Sequence, residues 1–130
     1  MTTSAIPAIE VGTTLPPLTI DATPTFIVST ALATRDFQDV HHDRDLAQAK
    51  GSKDIFVNIL TDTGLVERFV TDWAGPSSRI RSIKLTLGVP WYAYDSLTFT
   101  GDVTGVDDDL VGIAQFEKVS ADLAEFLHAD

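Results

Sequence analysis

At 130 residues the chain has room for one domain in which a helix covers a sheet, and too little for two. Its 44% hydrophobic and 22% charged residues are those of an ordinary soluble globular protein, and no run of about eighteen apolar residues is present to cross a bilayer. Nine Lys and Arg against nineteen Asp and Glu leave a net charge of -10, a field that repels nucleic acid and anionic membranes, and the absence of cysteine removes disulfides and thiol chemistry.

Residues 1–10 lack the basic start and sustained apolar stretch of a signal peptide, so a cytoplasmic location is expected. With Pro7, Pro16 and Pro17, residues 1–23 read as an extended arm in which only 11–20 can pair as a strand. Thr23-Pro24 then supplies a cap followed by proline at the first helical position. Phe26, Ile27, Thr30, Ala31 and Ala33 keep helical spacing, which predicts a short helix over 24–33. The stretch Thr34 to His42 has neither helical nor strand period and is dense in groups that move protons, the signature of a functional loop. Asp43 can cap a brief helix that stops at Gly51.

Ile55, Ile59, Val66, Phe69 and Trp73 recur at steps of three and four, predicting a long helix over 52–73 with one buried stripe, ended by Ala74-Gly75-Pro76. Gly64 lies inside it at a cost of about 1 kcal/mol relative to alanine, and is expected to let the helix approach a sheet closely. Ile83, Leu85 and Leu87 alternate with polar residues, as do Leu97, Phe99 and Val103, predicting two half-buried strands. Asp107-Asp108-Asp109 reads as a hairpin turn into a third strand over 110–113, after which Phe116, Val119, Leu123, Phe126 and Leu127 return to helical spacing. The whole is an α+β domain, 1–130, with a long central helix wrapped by an antiparallel sheet and a helical tail over 114–130. This is the hotdog architecture.

Chemistry concentrates at Asp36 and His41, a carboxylate and an imidazole that a loop can turn toward one small molecule. Hydration of an α,β-unsaturated thioester needs such a pair, a base for the water at the β-carbon and an acid for the α-carbon. In isolation an Asp and a His in a loop are more often a turn cap and a surface imidazole. Asp36-Phe37-Gln38-Asp39-Val40-His41, however, resembles the Asp-x-Asn-Pro-x-His motif of the MaoC-like, R-specific enoyl-CoA hydratases, and Ala47 falls where that motif has a small residue. The similarity runs from about Thr23 to Val106. The stretch from Phe26 to Asp45, with Lys53-Asp54-Ile55-Phe56-Val57-Asn58-Ile59-Leu60 and Pro90-Trp91-Tyr92-Ala93-Tyr94-Asp95, is more similar to the small MaoC-like subunits of the steroid side-chain hydratases of cholesterol-degrading actinobacteria.

The resemblance implies that Asp36 activates water and His41 transfers a proton, with no metal or redox cofactor and coenzyme A as part of the substrate. It implies further a larger MaoC-like partner, in a heterotetramer of two small and two large chains, that holds much of the CoA, and a downstream aldolase as a further associate. The start of the long helix, at Val57 and Asn58, can aim backbone N–H groups at a thioester oxygen, with Asn58 the preferred donor. Departures from the family pattern are Val57-Asn58 for His-Gly, Gln38-Asp39 for Asn-Pro, and a tail that departs from the family's further strands. All favour a site completed by a partner, as does the scarcity of cations for a polyanionic coenzyme.

Other polar groups read more plainly. His42 is expected to face solvent, and His41-His42-Asp43 lacks a third well-placed ligand for a metal. Asp107 to Asp109 lacks the spaced oxygens of a calcium loop. Trp91, Tyr92 and Tyr94 read as packing residues before pocket residues. The alternatives are a stand-alone hydratase or thioesterase acting on fatty acyl-CoA, and a non-catalytic scaffold subunit with no chemical need for both Asp36 and His41.

Overall fold

A computed structural model describes residues 9–120, in which β1 (Thr14–Asp21), α1 (Pro24–Ala33), a 3-10 turn (Asp39–His41), α2 (Arg44–Ala49), α3 (Ile59–Ala74), β2 (Ser96–Asp107) and β3 (Leu110–Ser120) follow in order. The strands form one antiparallel sheet in the order β1-β2-β3. Pro16 and Pro17 have no N–H to give the ladder, and the β1–β2 register shifts between Leu15 and Leu18. The α1 start matches its sequence signal: Thr23 Oγ1 accepts from the Phe26 N–H at 3.1 Å, with Pro24 in the first turn. Asp43 likewise accepts from the Leu46 N–H at 3.0 Å, and Gly51 takes φ 92° beyond α2.

Helix α3 lies on the sheet and buries Leu65, Val66 and Phe69 against Leu97, Phe99 and Val103. Phe69 stacks on Phe99 with ring centroids 6.0 Å apart. The glycine that permits this approach is Gly101 of β2, where an added Cβ would lie 3.0 Å from Phe69 Cε2. Gly64 has nothing within 4 Å, so it does not serve the close packing expected of it. A left-handed Asp108, φ 49°, turns β2 into β3.

Several expectations are corrected. The long helix begins at Ile59, because residues 52–58 give their backbone groups to other segments. Phe56 N–H donates to Val40, Val57 N–H to Trp91, and the Ile55 carbonyl accepts from Ala93, leaving none of these for an i−4 ladder. Residues 82–87 form no strand. They keep the alternation, with Ile83 and Leu85 half-buried between exposed neighbours, but among the described residues no strand pairs with them. The predicted third strand is longer than expected, because residues 114–120, read as helical, pair with β2 from Asp102 to Ser96. Phe116, read as part of a helical stripe, lies in this strand with its side chain exposed. The rest of the expected tail, 121–130, and the first eight residues of the arm lie outside the described residues.

Candidate active site

The loop after α1 is set by a backbone turn. Arg35 sits at φ 58°, a left-handed conformation that costs a side-chain-bearing residue on the order of 1–3 kcal/mol, and the Asp36 N–H donates back to Ala31 at 2.9 Å. This turns the Asp36 carboxylate inward. The 3-10 turn then brings His41 underneath, 5% exposed, with its Nε2 3.5 Å from Asp36 Oδ2. The structure thus joins the two residues the motif singles out.

His41 is oriented from behind. Its Nδ1 lies 2.7 Å from the Phe56 carbonyl oxygen, an acceptor only, so Nδ1 carries the proton and donates. Nε2 of the neutral ring is then a lone pair directed at Asp36 and the cavity. The Phe56 ring stands edge-on to the imidazole at 4.9 Å and fixes its plane.

Asn58 is fully buried, and its side chain does something the sequence did not reveal. Nδ2 donates to Thr34 Oγ1 at 2.8 Å and to Asp36 Oδ2 at 3.2 Å, while Oδ1 accepts from the Thr61 hydroxyl. Thr34 and Thr61, which carried no signal of their own, complete this network. The side chain makes no cap on α3, and the Asn58 N–H has no acceptor among the described residues. The Val57 N–H is committed to Trp91, so of the two expected backbone donors Asn58 is the one without a backbone acceptor among the described residues, at the positive end of the helix, on a residue that is itself 1% exposed.

Asp36, Gln38, His41 and Val57 line one wall of a cavity of about 1610 Å³, and residues 77–90, which form no helix or strand, contribute much of the remaining lining. Trp91 is buried against Phe26 and donates its indole N–H to the Asp95 carbonyl, as expected of a packing residue, and also lines the cavity. His42 is exposed. Among the described residues no group of three or more His, Cys, Asp or Glu side chains is placed to hold a metal ion.

Two further acids line the cavity that sequence reasoning did not single out. Asp62, in the first turn of α3, faces Glu117 on β3, and the carboxyl groups share a hydrogen bond. Burial, then the charge of Asp62, push Glu117 up to about 7, and burial raises Asp62 as well. The Gln115 amide beside Glu117 weakly opposes this, although its Nε2 makes no well-formed hydrogen bond.

No family model matches the sequence. The chain is 73% identical over 103 residues to the 3-oxo-4,17-pregnadiene-20-carboxyl-CoA hydratase beta subunit of Mycobacterium tuberculosis, covering 79% of this chain and 80% of that protein. Among solved structures, the crystal structure of the ChsH1-ChsH2 complex from Mycobacterium tuberculosis contains a chain 68% identical, matching at a TM-score of 0.84 over 85% of this chain and 87% of that one. An (R)-hydratase from A. caviae involved in PHA biosynthesis shares the fold at 18% identity, with a TM-score of 0.78 over 86% of each chain.

Proposed function

Because the chain belongs to the MaoC-like hydratase family, in the branch of the 3-oxo-4,17-pregnadiene-20-carboxyl-CoA hydratase beta subunit, we propose that it is the catalytic small subunit of a hydratase. The reaction is addition of water to the α,β-double bond of a steroid side-chain CoA thioester in cholesterol catabolism. The observation that carries this reading is the Asp36–His41 pair, 3.5 Å apart at the wall of a large cavity.

The Asp36 carboxylate and His41 Nε2 are two acceptors on one side of the cavity, and a water held between them presents its oxygen to the β-carbon of a thioester. Asp36 orients the water, the pair takes its proton, and His41 returns a proton to the α-carbon. No net proton enters or leaves. The charge that builds on the thioester oxygen is met by the Asn58 N–H and the α3 dipole. These steps use only side chains and one backbone amide, and call on no metal or redox cofactor.

The assembly we infer joins two copies of this chain with two of a larger MaoC-like subunit. That subunit supplies the positive charge for CoA which this acidic chain is short of, and an aldolase associates downstream. A cytoplasmic setting suits a CoA thioester substrate, and among the described residues no helix is long and apolar enough to cross a membrane. To test the reading, the chain is purified with its larger partner and mixed with a steroid enoyl-CoA, and the enoyl-thioester absorbance is followed. Loss of absorbance with the complex supports it. Activity of the isolated chain on crotonyl-CoA, or release of free CoA, points instead to a stand-alone hydratase or thioesterase.

A further inference from the structure

Residues 79–90 return along α3 with nothing to pair with. They follow the end of that helix at Ala74, and Trp91, directly after them, accepts from the Val57 N–H just ahead of the helix start. Between those points no backbone group makes a backbone hydrogen bond among the described residues, although half-buried Ile83 and Leu85 alternate with exposed neighbours as in a strand. Strand β3 has a spare edge too, since among the described residues it pairs with β2 alone. Ser96 opens β2 close after Trp91, and Ser120 ends β3 opposite Ser96, so β3 and residues 79–90 both run toward the start of α3.

The cavity reaches both of these edges. Consecutive residues of 82–87, and from β3 both Phe116 and its neighbours Gln115 and Glu117, line it, so it is bordered by side chains from both faces of each segment. Val70, Trp73, Ile83, Leu85, Val111 and Ile113 pack on the core from one side and line the cavity from the other, each half-buried. At about 1610 Å³ the space exceeds the roughly 300–1,000 Å³ of a pocket for a small ligand. It has room for polypeptide beside a substrate.

We propose that an extended segment of the larger partner subunit enters this cavity as a strand between β3 and residues 82–87. The inference rests on the hydratase reading and adds to it the place where the partner completes the site. Because the two edges run the same way, one strand antiparallel to both can bond to each. Its alternate side chains meet the half-buried apolar residues and are apolar themselves. Arg79, Arg81 and Lys84 are exposed along this wall and make no ion pair among the described residues, so the segment carries Asp or Glu on its outer positions. Residues 121–130 of this chain are acidic as well, but they contain no Val, Ile, Thr or Tyr and are mostly Ala, Leu, Asp and Glu, a composition poor for a strand. The inserted strand shares the cavity with Asp36 and His41, and so narrows it to the size of a ligand.

Hydrogen exchange of the full chain, alone and in complex with its larger partner, tests this. Amides of 82–87 and the unpaired amides of β3 are expected to exchange freely in the isolated chain and to slow on the order of 100-fold in the complex. Arg81→Glu, on an exposed side chain, is expected to weaken association about tenfold at low salt and less at high salt. Free exchange on either wall in the assembled complex overturns the strand, and affinity unaltered by Arg81→Glu overturns its acidic character. Slow exchange already in the isolated chain also overturns the proposal, and its loss on stopping the chain after Ser120 identifies the strand as the chain's own. A complex that hydrates the steroid enoyl-CoA while 82–87 exchange freely keeps the functional reading and removes the strand. Protected walls in a complex without hydratase activity do the reverse.

Discussion

Asn58 Nδ2 donates to Asp36 Oδ2 at 3.2 Å from a fully buried position, so the carboxylate is held by the residue that also opens the long helix. The same amide ties Thr34 and Thr61 together. Asn58→Ala removes both ends of that network, leaving the Thr61 hydroxyl without its acceptor and Asp36 Oδ2 without its amide donor, so it is expected to cost about 1–3 kcal/mol of stability in denaturant titration. Because the Asp36 carboxylate loses its orientation, kcat falls more than KM changes. A variant as stable and active as the wild type contradicts the network.

The Phe56 carbonyl, 2.7 Å from His41 Nδ1, dictates which ring nitrogen is free. The neutral ring is expected as the Nδ1–H tautomer, read from the 15N chemical shifts and their proton couplings in labelled protein. The Nε2–H tautomer would remove the lone pair that the mechanism directs at water.

The Asp62–Glu117 pair makes stability depend on pH. Glu117 is raised from 4.5 to about 7, so the folded protein holds this proton more tightly than the unfolded chain does. Its contribution is therefore fully present below the unfolded value and is lost as pH rises from 4.5 through about 7. Asp62, also raised by burial, works in the same direction. Glu117→Gln stays neutral throughout, so its Tm is expected to exceed that of the wild type near pH ~8 and to converge with it toward pH ~4.5. A difference of the same size at both ends contradicts the assignment.

Gly101→Ala places a methyl group 3.0 Å from Phe69 Cε2 and 3.4 Å from the Ala114 carbonyl oxygen. The Phe69 ring is stacked on Phe99 and has little room to retreat. The expected loss is about 1–3 kcal/mol, whereas Gly64→Ala, in open space on an exposed helix face, is expected to stabilise by about 1 kcal/mol at most. Chemical denaturation of the two variants checks the contrast.

What could be read in the sequence was what local chemistry decides. Thr23-Pro24 and Asp43 start α1 and α2 by capping, and the motif spacing brought Asp36 and His41 together as found. Failures came where distant partners decide. Residues 52–58 carry a helical pattern, but Val40, Trp91 and Ala93 compete for their backbone groups. Residues 82–87 alternate like a strand, yet pairing needs a neighbour that periodicity cannot supply. Asn58 was singled out for its backbone, while its side-chain bonds to Thr34 and Asp36 span 24 and 22 residues of sequence and were invisible locally. Asp62 and Glu117 meet only once β3 lies beside α3.

The central claim is that Asp36 and His41 together hydrate an enoyl-CoA thioester in the partnered complex. Its most direct test is the rate of loss of enoyl-thioester absorbance on a steroid enoyl-CoA, measured for complexes carrying the wild-type, Asp36→Asn or His41→Ala chain. Each substitution is expected to lower kcat/KM by about 10²- to 10⁴-fold, the usual worth of a positioned acid or base. Normal turnover by both variant complexes contradicts the account.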